Sequence, residues 1–280
     1  MTQAKQVPLW AKLPIEWIQA DELRNFKSTT LEQQTVEEGA QRKTRRRLEV
    51  PDRAERNRSI AALKLYIAIC IRTDFHTGQA KTSYDELITL TGMSRPVVAR
   101  SLKQLEEMGR ITRTEQSLRS GTLIYVCGWL EDGFSGQLPK RWLYDGNQGR
   151  SLLKLREFKF DWASFYALKV YLTILAFRDK HRFGLTIITY DRINQSTGIG
   201  RHRVADAITM LYQMELISFR PGSFDDNDHA RINRYLVRGL DIPWTALNQA
   251  YPDYKVSKKK SSSKPSKTEL AVTKAFMKKS

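Results

Sequence analysis

The sequence predicts an α+β, mainly helical chain: two tandem winged helix-turn-helix domains related by internal duplication, followed by a disordered basic C-terminal tail. Three observations predict it. Residues 83–128 read as helix, tight turn, helix and β-hairpin. The same pattern returns about a hundred residues later, at the size of an ordinary domain. The chain also carries 47 Lys and Arg against 30 Asp and Glu, a formal net charge of +17. Such a field attracts polyanions, and nucleic acid is the commonest of these for a soluble protein.

The first unit is punctuated at each step. Ser83 is an N-cap with Glu86 three residues on, the spacing of a capping box. Thr91 and Gly92 break that helix, because glycine accepts the positive φ of a tight inter-helix turn. Ser94 caps the next helix and Pro96 sits in its first turn, where the missing N–H costs nothing. Val98, Ala99, Leu102, Leu105 and Met108 recur at helical spacing as one apolar face. Gly109 ends the helix; Ile111–Thr114 and Thr122–Val126 alternate as a hairpin around a turn holding Arg119.

A shift of 106, from Gly92 to Gly198, carries Tyr84 and Asp85 onto Tyr190 and Asp191. The same shift carries Ala99, Leu102, Leu105 and Met108 onto Ala205, Ile208, Leu211 and Met214. Upstream, Ala62–Tyr66 matches Ala167–Tyr171; downstream, Val126–Gly128 matches Val237–Gly239, so the second wing is longer. The core face repeats and the exposed face does not: Val97, Arg100 and Lys103 become Arg203, Asp206 and Thr209.

Composition divides the chain into residues 1–58, a lead-in segment and basic linker; 59–132, the first winged helix; 133–150, an inter-domain connection; 151–250, the second; and 251–280, a Lys/Ser-rich tail. Leu13, Pro14 and Trp17 return as Leu138, Pro139 and Trp142, so each domain has a lead-in that docks on it. Arg45, Arg46 and Arg47 lie in a polar stretch without apolar periodicity. It reads as a solvated linker or as an arm on phosphates or in a minor groove. Residues 60–72 and 162–177 are buried first helices, and Ser151–Phe160 reads as a strand. Asp225, Asp226 and Asp228 put carboxylates at the second wing tip, which points away from phosphates; the spacing of a calcium loop is missing.

No phosphate-binding loop occurs, no two of His76, His181, His202 and His229 have zinc-site spacing, and no nickase motif with paired histidines and a tyrosine is present. The expectation is a non-enzyme without cofactor or metal. Cys70 and Cys127 read as reduced core thiols. No apolar run approaches the ~18 residues of a spanning helix, and no signal peptide opens the chain, so a cytoplasmic, nucleoid-associated protein is expected.

In helix-turn-helix proteins the N-terminal residues of the second helix meet base edges in the major groove. The expected DNA-binding set in the first unit is Ser94, Arg95, Val97, Arg100, Lys103 and Gln104, with Arg119 in the wing. In the second it is Arg201, His202, Arg203, Asp206 and Thr209, with Arg231 and Arg234 beside the wing. Arginine can donate twice to guanine, Val97 can meet a thymine methyl, and Asp206 can accept from cytosine or orient Arg203. Unlike sets imply unlike half-sites.

Two tandem, duplicated winged helices in a basic chain of this size resemble plasmid replication initiators of the Rep type. The segment Thr91–Arg95 with Leu102 and Leu105 is also similar to the helix-turn-helix of phage replication proteins and MarR-like regulators. The resemblance, which spans residues 60–240, implies binding to repeated origin sequences in double-stranded DNA, DNA bending or opening, and loading of host replication proteins. It also implies promoter repression as a homodimer. A tandem winged-helix transcription regulator, and a winged-helix interaction protein of a larger nucleoprotein complex, are the alternative readings.

Overall fold

The computed structural model describes residues 9–38, 42–114, 122–131, 135–146, 149–179, 184–222 and 232–240. In chain order the elements are β1 (Ala11–Pro14), α1 (Glu16–Gln19), a 3-10 turn (Glu22–Asn25), β2 (Thr29–Glu38), β3 (Arg42–Pro51) and α2 (Arg53–Arg72). Then follow β4 (Gln79–Thr82), α3 (Tyr84–Thr91), α4 (Arg95–Glu107), β5 (Ile111–Thr114), β6 (Thr122–Val126), β7 (Ser135–Leu138), α5 (Lys140–Tyr144) and α6 (Leu153–Arg156). The chain continues through α7 (Trp162–Ala176), β8 (Thr186–Ile187), α8 (Tyr190–Thr197), α9 (Arg201–Gln213), β9 (Ile217–Arg220) and β10 (Arg234–Val237). The architecture is α+β, with helices packed on small antiparallel sheets. No helix among the described residues is long and apolar enough to cross a membrane.

Two apolar helices organise the core. Every residue of α2 from Ile60 to Ile71 is buried, and so is α7 from Ala167 to Ala176. A helix apolar all round must be covered on every side. Accordingly α2 packs against α3, α4 and α7, while α7 packs against α1, α2, α8 and α9. Asp52 caps α2 and Asp161 caps α7, each carboxylate accepting from the first turn. Around each helix the order of elements is the same: strand, short helix, longer helix, two strands. The sheets also agree, with orders β4-β6-β5 and β8-β10-β9.

The lead-in segments do more than dock on their own halves. Trp17 donates to Tyr66 Oη on α2 at 3.2 Å, and Trp142 donates to Glu215 O after α9 at 2.8 Å. Beyond these anchors both segments cross to the opposite half. Gln19 Nε2 donates to Ala176 O at the end of α7, and Lys140 Nζ to Ile71 O at the end of α2. Lys169 on α7 donates to Phe26 O of the first lead-in at 3.1 Å; Lys64 on α2 donates to Phe158 O of the second at 2.8 Å. β1 and β7 pair antiparallel, Ala11 with Leu138 and Leu13 with Gly136, so Lys12 faces Gln137, its counterpart in the matched lead-in. Contacts in which i meets j′ and j meets i′ are those of an isologous, two-fold interface. Here they lie within one chain.

Four expectations change. The polar stretch after Ser28 is not a linker. Residues 29–38 and 42–51 form one antiparallel ribbon, with Gln34 opposite Arg46 and Glu37 opposite Lys43. Runs such as Gln33-Gln34 and Arg45-Arg46-Arg47 break any apolar alternation, which removes the usual strand signal. The connection at 133–150 contains β7 and α5, and the halves it joins are packed together. Ser151–Phe160 holds the short helix α6, not a strand; Leu152 and Leu155, three apart, are buried while Leu153 is exposed. Cys70 is buried, but Cys127 is exposed, because Ile124 and Val126 take the inward positions of β6 and the next residue after Val126 turns out.

Candidate nucleic-acid interface

The turn that presents α4 is built from one buried threonine. Thr91 Oγ1 donates to Leu87 O at 2.7 Å and accepts from Met93 N at 3.3 Å, closing α3 and starting the turn. Thr197 does the same in the second half, donating to Ile193 O at 2.6 Å and accepting from Ile199 N at 3.2 Å. Gly92 and Gly198 follow with φ of 69° and 72°, and Met93 and Ile199 plug into the core. The entry angle of α4 and of α9 is therefore set by a polar clip and an apolar plug. Ser83 Oγ accepts from Glu86 N at 3.1 Å, as expected, but the Glu86 carboxylate meets Thr82 and Arg72 instead of completing the box. Thr189 Oγ1 likewise caps α8, accepting from Arg192 N at 3.1 Å. Ser94 precedes α4 without a side-chain cap bond, leaving its hydroxyl exposed.

At the start and outer side of α4, Ser94, Arg95, Arg100 and Lys103 are exposed. Arg95 leans over the Tyr84 ring, 5.1 Å from its centroid, with its guanidinium 3.7 Å from Asp85. Arg100 Nε donates to Pro96 O at 3.2 Å, and Lys103 lies 3.8 Å from Glu107. Two members of the expected set depart from it. Val97 is half-buried and packs on the core, which competes with contact to a thymine methyl. Gln104 is also half-buried, with its Oε1 away from solvent, because it lies one turn from Ser101 on the inner side of the helix.

On α9, Arg201, His202, Arg203 and Asp206 are exposed. Arg201 Nε is 3.3 Å from Asp191, the same pairing as Arg95 with Asp85 at matched positions. Both arginines are 68% exposed, so these pairs are worth at most ~1 kcal/mol and yield readily to a stronger anion. Asp206 lies 3.7 Å from Arg203 and orients it. Thr209 is half-buried, its hydroxyl donating to Ala205 O at 3.0 Å. Arg234 opens β10 opposite Arg220 at the root of the second hairpin; burial, and then Arg234, pull Arg220 below its ordinary range.

Arg45, Arg46 and Arg47 occupy consecutive positions of β3, opposite Thr35, Gln34 and Gln33. Arg119, Arg231, the acidic tip with Asp225, Asp226 and Asp228, and the basic tail lie outside the described residues. Sequence reasoning did not single out Asp85, Asp191, Thr91 or Thr197 for these roles, although their exact match at a shift of 106 was the available signal.

Buried amines complete the electrostatics. Lys169 is lowered to about 7 and Lys64 to about 8, in both cases by burial first, then by Arg24 and Arg156 respectively. The chain matches no protein-family model, no curated protein and no solved structure.

Proposed function

We propose that this chain is a sequence-specific double-stranded DNA-binding protein built of two duplicated winged helices, with α4 and α9 as its groove-reading helices. The observation that carries the reading is the matched clip: a Thr-Gly turn feeding a helix whose first arginine is exposed and held by the preceding helix's aspartate, twice in one basic chain. A helix presented this way fits a major groove about 12 Å wide, with its N-terminal arginines toward guanine edges. The reciprocal lead-ins relate the two helices as a dyad would, so a single chain addresses two inverted half-sites. Their sequences differ, because Arg100 and Lys103 face one and Arg203, Asp206 and His202 the other. Replication initiation at such a site is the role we attach to the binding, on the resemblance to plasmid initiators.

The test is a base-substitution scan of a site selected from random duplexes. Arg95→Ala or Arg100→Ala should each cost about 1–3 kcal/mol and relax preference in one half. Arg201→Ala or Arg203→Ala should do so in the other, about one helical turn away. Full retention of discrimination by the Arg201 and Arg203 variants would make α9 an assembly element instead.

A further inference from the structure

The crossing of the lead-ins leaves one pair of charges that neither half's own architecture requires. The first lead-in ends its 3-10 turn beside α8, and the second ends α6 beside α3. A Cβ added to Gly198 would stand 3.6 Å from Arg24 Cγ, and one added to Gly92 would stand 2.6 Å from Arg156 Nε. Each turn that launches a groove-reading helix is thus covered by an arginine from the other half. Both arginines are exposed; Arg24 acts at longer range on Asp21, whose carboxylate is already paired with Arg192, and Arg156 has no ion pair among the described residues. They are matched across the dyad by the same neighbours: Arg24 precedes Phe26, which Lys169 holds, and Arg156 precedes Phe158, which Lys64 holds.

Beyond the matched Arg95–Asp85 and Arg201–Asp191 pairs, the exposed faces of α4 and α9 differ, so a further repeated exposed arginine calls for a requirement common to both half-sites. Bases cannot supply it, since the two helices read different ones. Phosphates can. Gly92 is three residues before Arg95, no more than ~11 Å of chain from the start of α4. The groove walls stand ~6 Å either side of the helix axis once it is inserted. The Arg156 guanidinium, packed over Gly92, and the Arg24 side chain, packed over Gly198 by its Cγ, are within reach of that wall. Burial of Lys64 and Lys169 keeps their amines directed at carbonyls inside, leaving Arg156 and Arg24 as the outward cations.

We propose that Arg156 and Arg24 are crossed phosphate clamps, each binding the DNA backbone at the half-site read by the opposite half's helix. This rests on the DNA-binding reading above. Each half-site is then completed by the other half, and neither unit alone forms a full site.

The test measures binding of an arbitrary 30-base-pair duplex as a function of salt, for the full-length chain and for Arg24→Ala/Arg156→Ala. Losing two phosphate contacts should make the slope of log affinity against log salt shallower by about 1.8, so that a fourfold rise in salt costs the variant about tenfold less than it costs the unsubstituted protein. Arg24→Lys/Arg156→Lys should keep the slope, which a purely packing role would not restore. Phosphate-ethylation interference on a selected site gives the geometry. Arg24→Ala should erase interference only in the half whose base preference depends on Arg201 and Arg203, and Arg156→Ala only in the other. An unchanged slope in a variant that melts normally overturns the clamps while leaving DNA binding intact. Interference lost on the uncrossed side overturns the crossed assignment. No duplex binding by the unsubstituted protein at any salt overturns both readings.

Discussion

Raising the pH from 8 to 9 should stabilise the protein through Lys169, and substituting that lysine should remove the effect. Lys169 is 3% exposed and lowered to about 7 by burial and by Arg24, whereas a lysine in an unfolded chain titrates near ~10.4. Between those values the unfolded chain holds a proton that the folded chain does not. Stability then rises with pH, by at most ~1.4 kcal/mol per pH unit for one such group. Below pH 7 both states are protonated and the slope vanishes. For a chain of this size ~1.4 kcal/mol is a rise of about 3–6 °C in melting temperature. Lys64, lowered to about 8, adds a second, slightly smaller share in the same window.

The comparison is thermal melting of the unsubstituted chain and Lys169→Met at pH 7, 8 and 9 and constant ionic strength. Methionine leaves the Phe26 carbonyl without the donor now 3.1 Å away, a penalty of ~1–3 kcal/mol that does not depend on pH. Only the difference in slope is read. Cys70, whose thiol burial pushes up, acts in the opposite direction near pH 9, but it is present in both proteins and cancels. A melting temperature that rises equally in both, or that falls relative to the variant between pH 8 and 9, would refute a neutral buried amine at Lys169.

Three further outcomes are expected. Thr91→Val, which keeps the shape and deletes the clip to Leu87 and Met93, should lower stability by about 1–2 kcal/mol, measured by urea unfolding. Arg45→Ala/Arg46→Ala/Arg47→Ala in the ribbon should weaken duplex binding with a salt slope shallower by up to ~2.7, while a slope equal to the parent's would leave the ribbon a structural hairpin. Truncation at Lys255 removes Lys255, Lys258, Lys259, Lys260, Lys264, Lys267, Lys274, Lys278 and Lys279. Non-specific affinity should fall in a titration of arbitrary duplex, with preference for a selected site retained.

What the residues reveal in advance depends on whether local or distant physics sets them. Helix caps and turn glycines are local, so Ser83 and Gly92 bracket α3, and Thr189 and Gly198 bracket α8, within a residue. Apolar all-round segments likewise announce α2 and α7, though α2 starts about two turns earlier than Ile60 because Asp52 supplies the cap. The ribbon stays hidden because its strands carry no apolar alternation. The inward turn of Val97 and Gln104 follows from packing of α4 on α2, which the helical wheel alone does not fix. The lead-ins show themselves only as a repeated Leu-Pro-x-x-Trp; that they cross is a tertiary fact with no local signature.

The crossing in turn explains which parts of the sequence repeat. A two-fold contact uses the same surface twice, so both copies must keep what that surface needs: a buried lysine for the partner's carbonyl, a glycine under the partner's arginine, a tryptophan to anchor the lead-in. Lys64 and Lys169, Gly92 and Gly198, and Trp17 and Trp142 are retained accordingly. Apart from the retained Arg95 and Arg201, positions of α4 and α9 outside that surface are released from the constraint, and they diverge into Arg100 and Asp206 or Lys103 and Thr209. If both helices read DNA, as proposed, such divergence lets one chain read two different sequences. A homodimer of a single unit would present the same face twice and be limited to a palindrome.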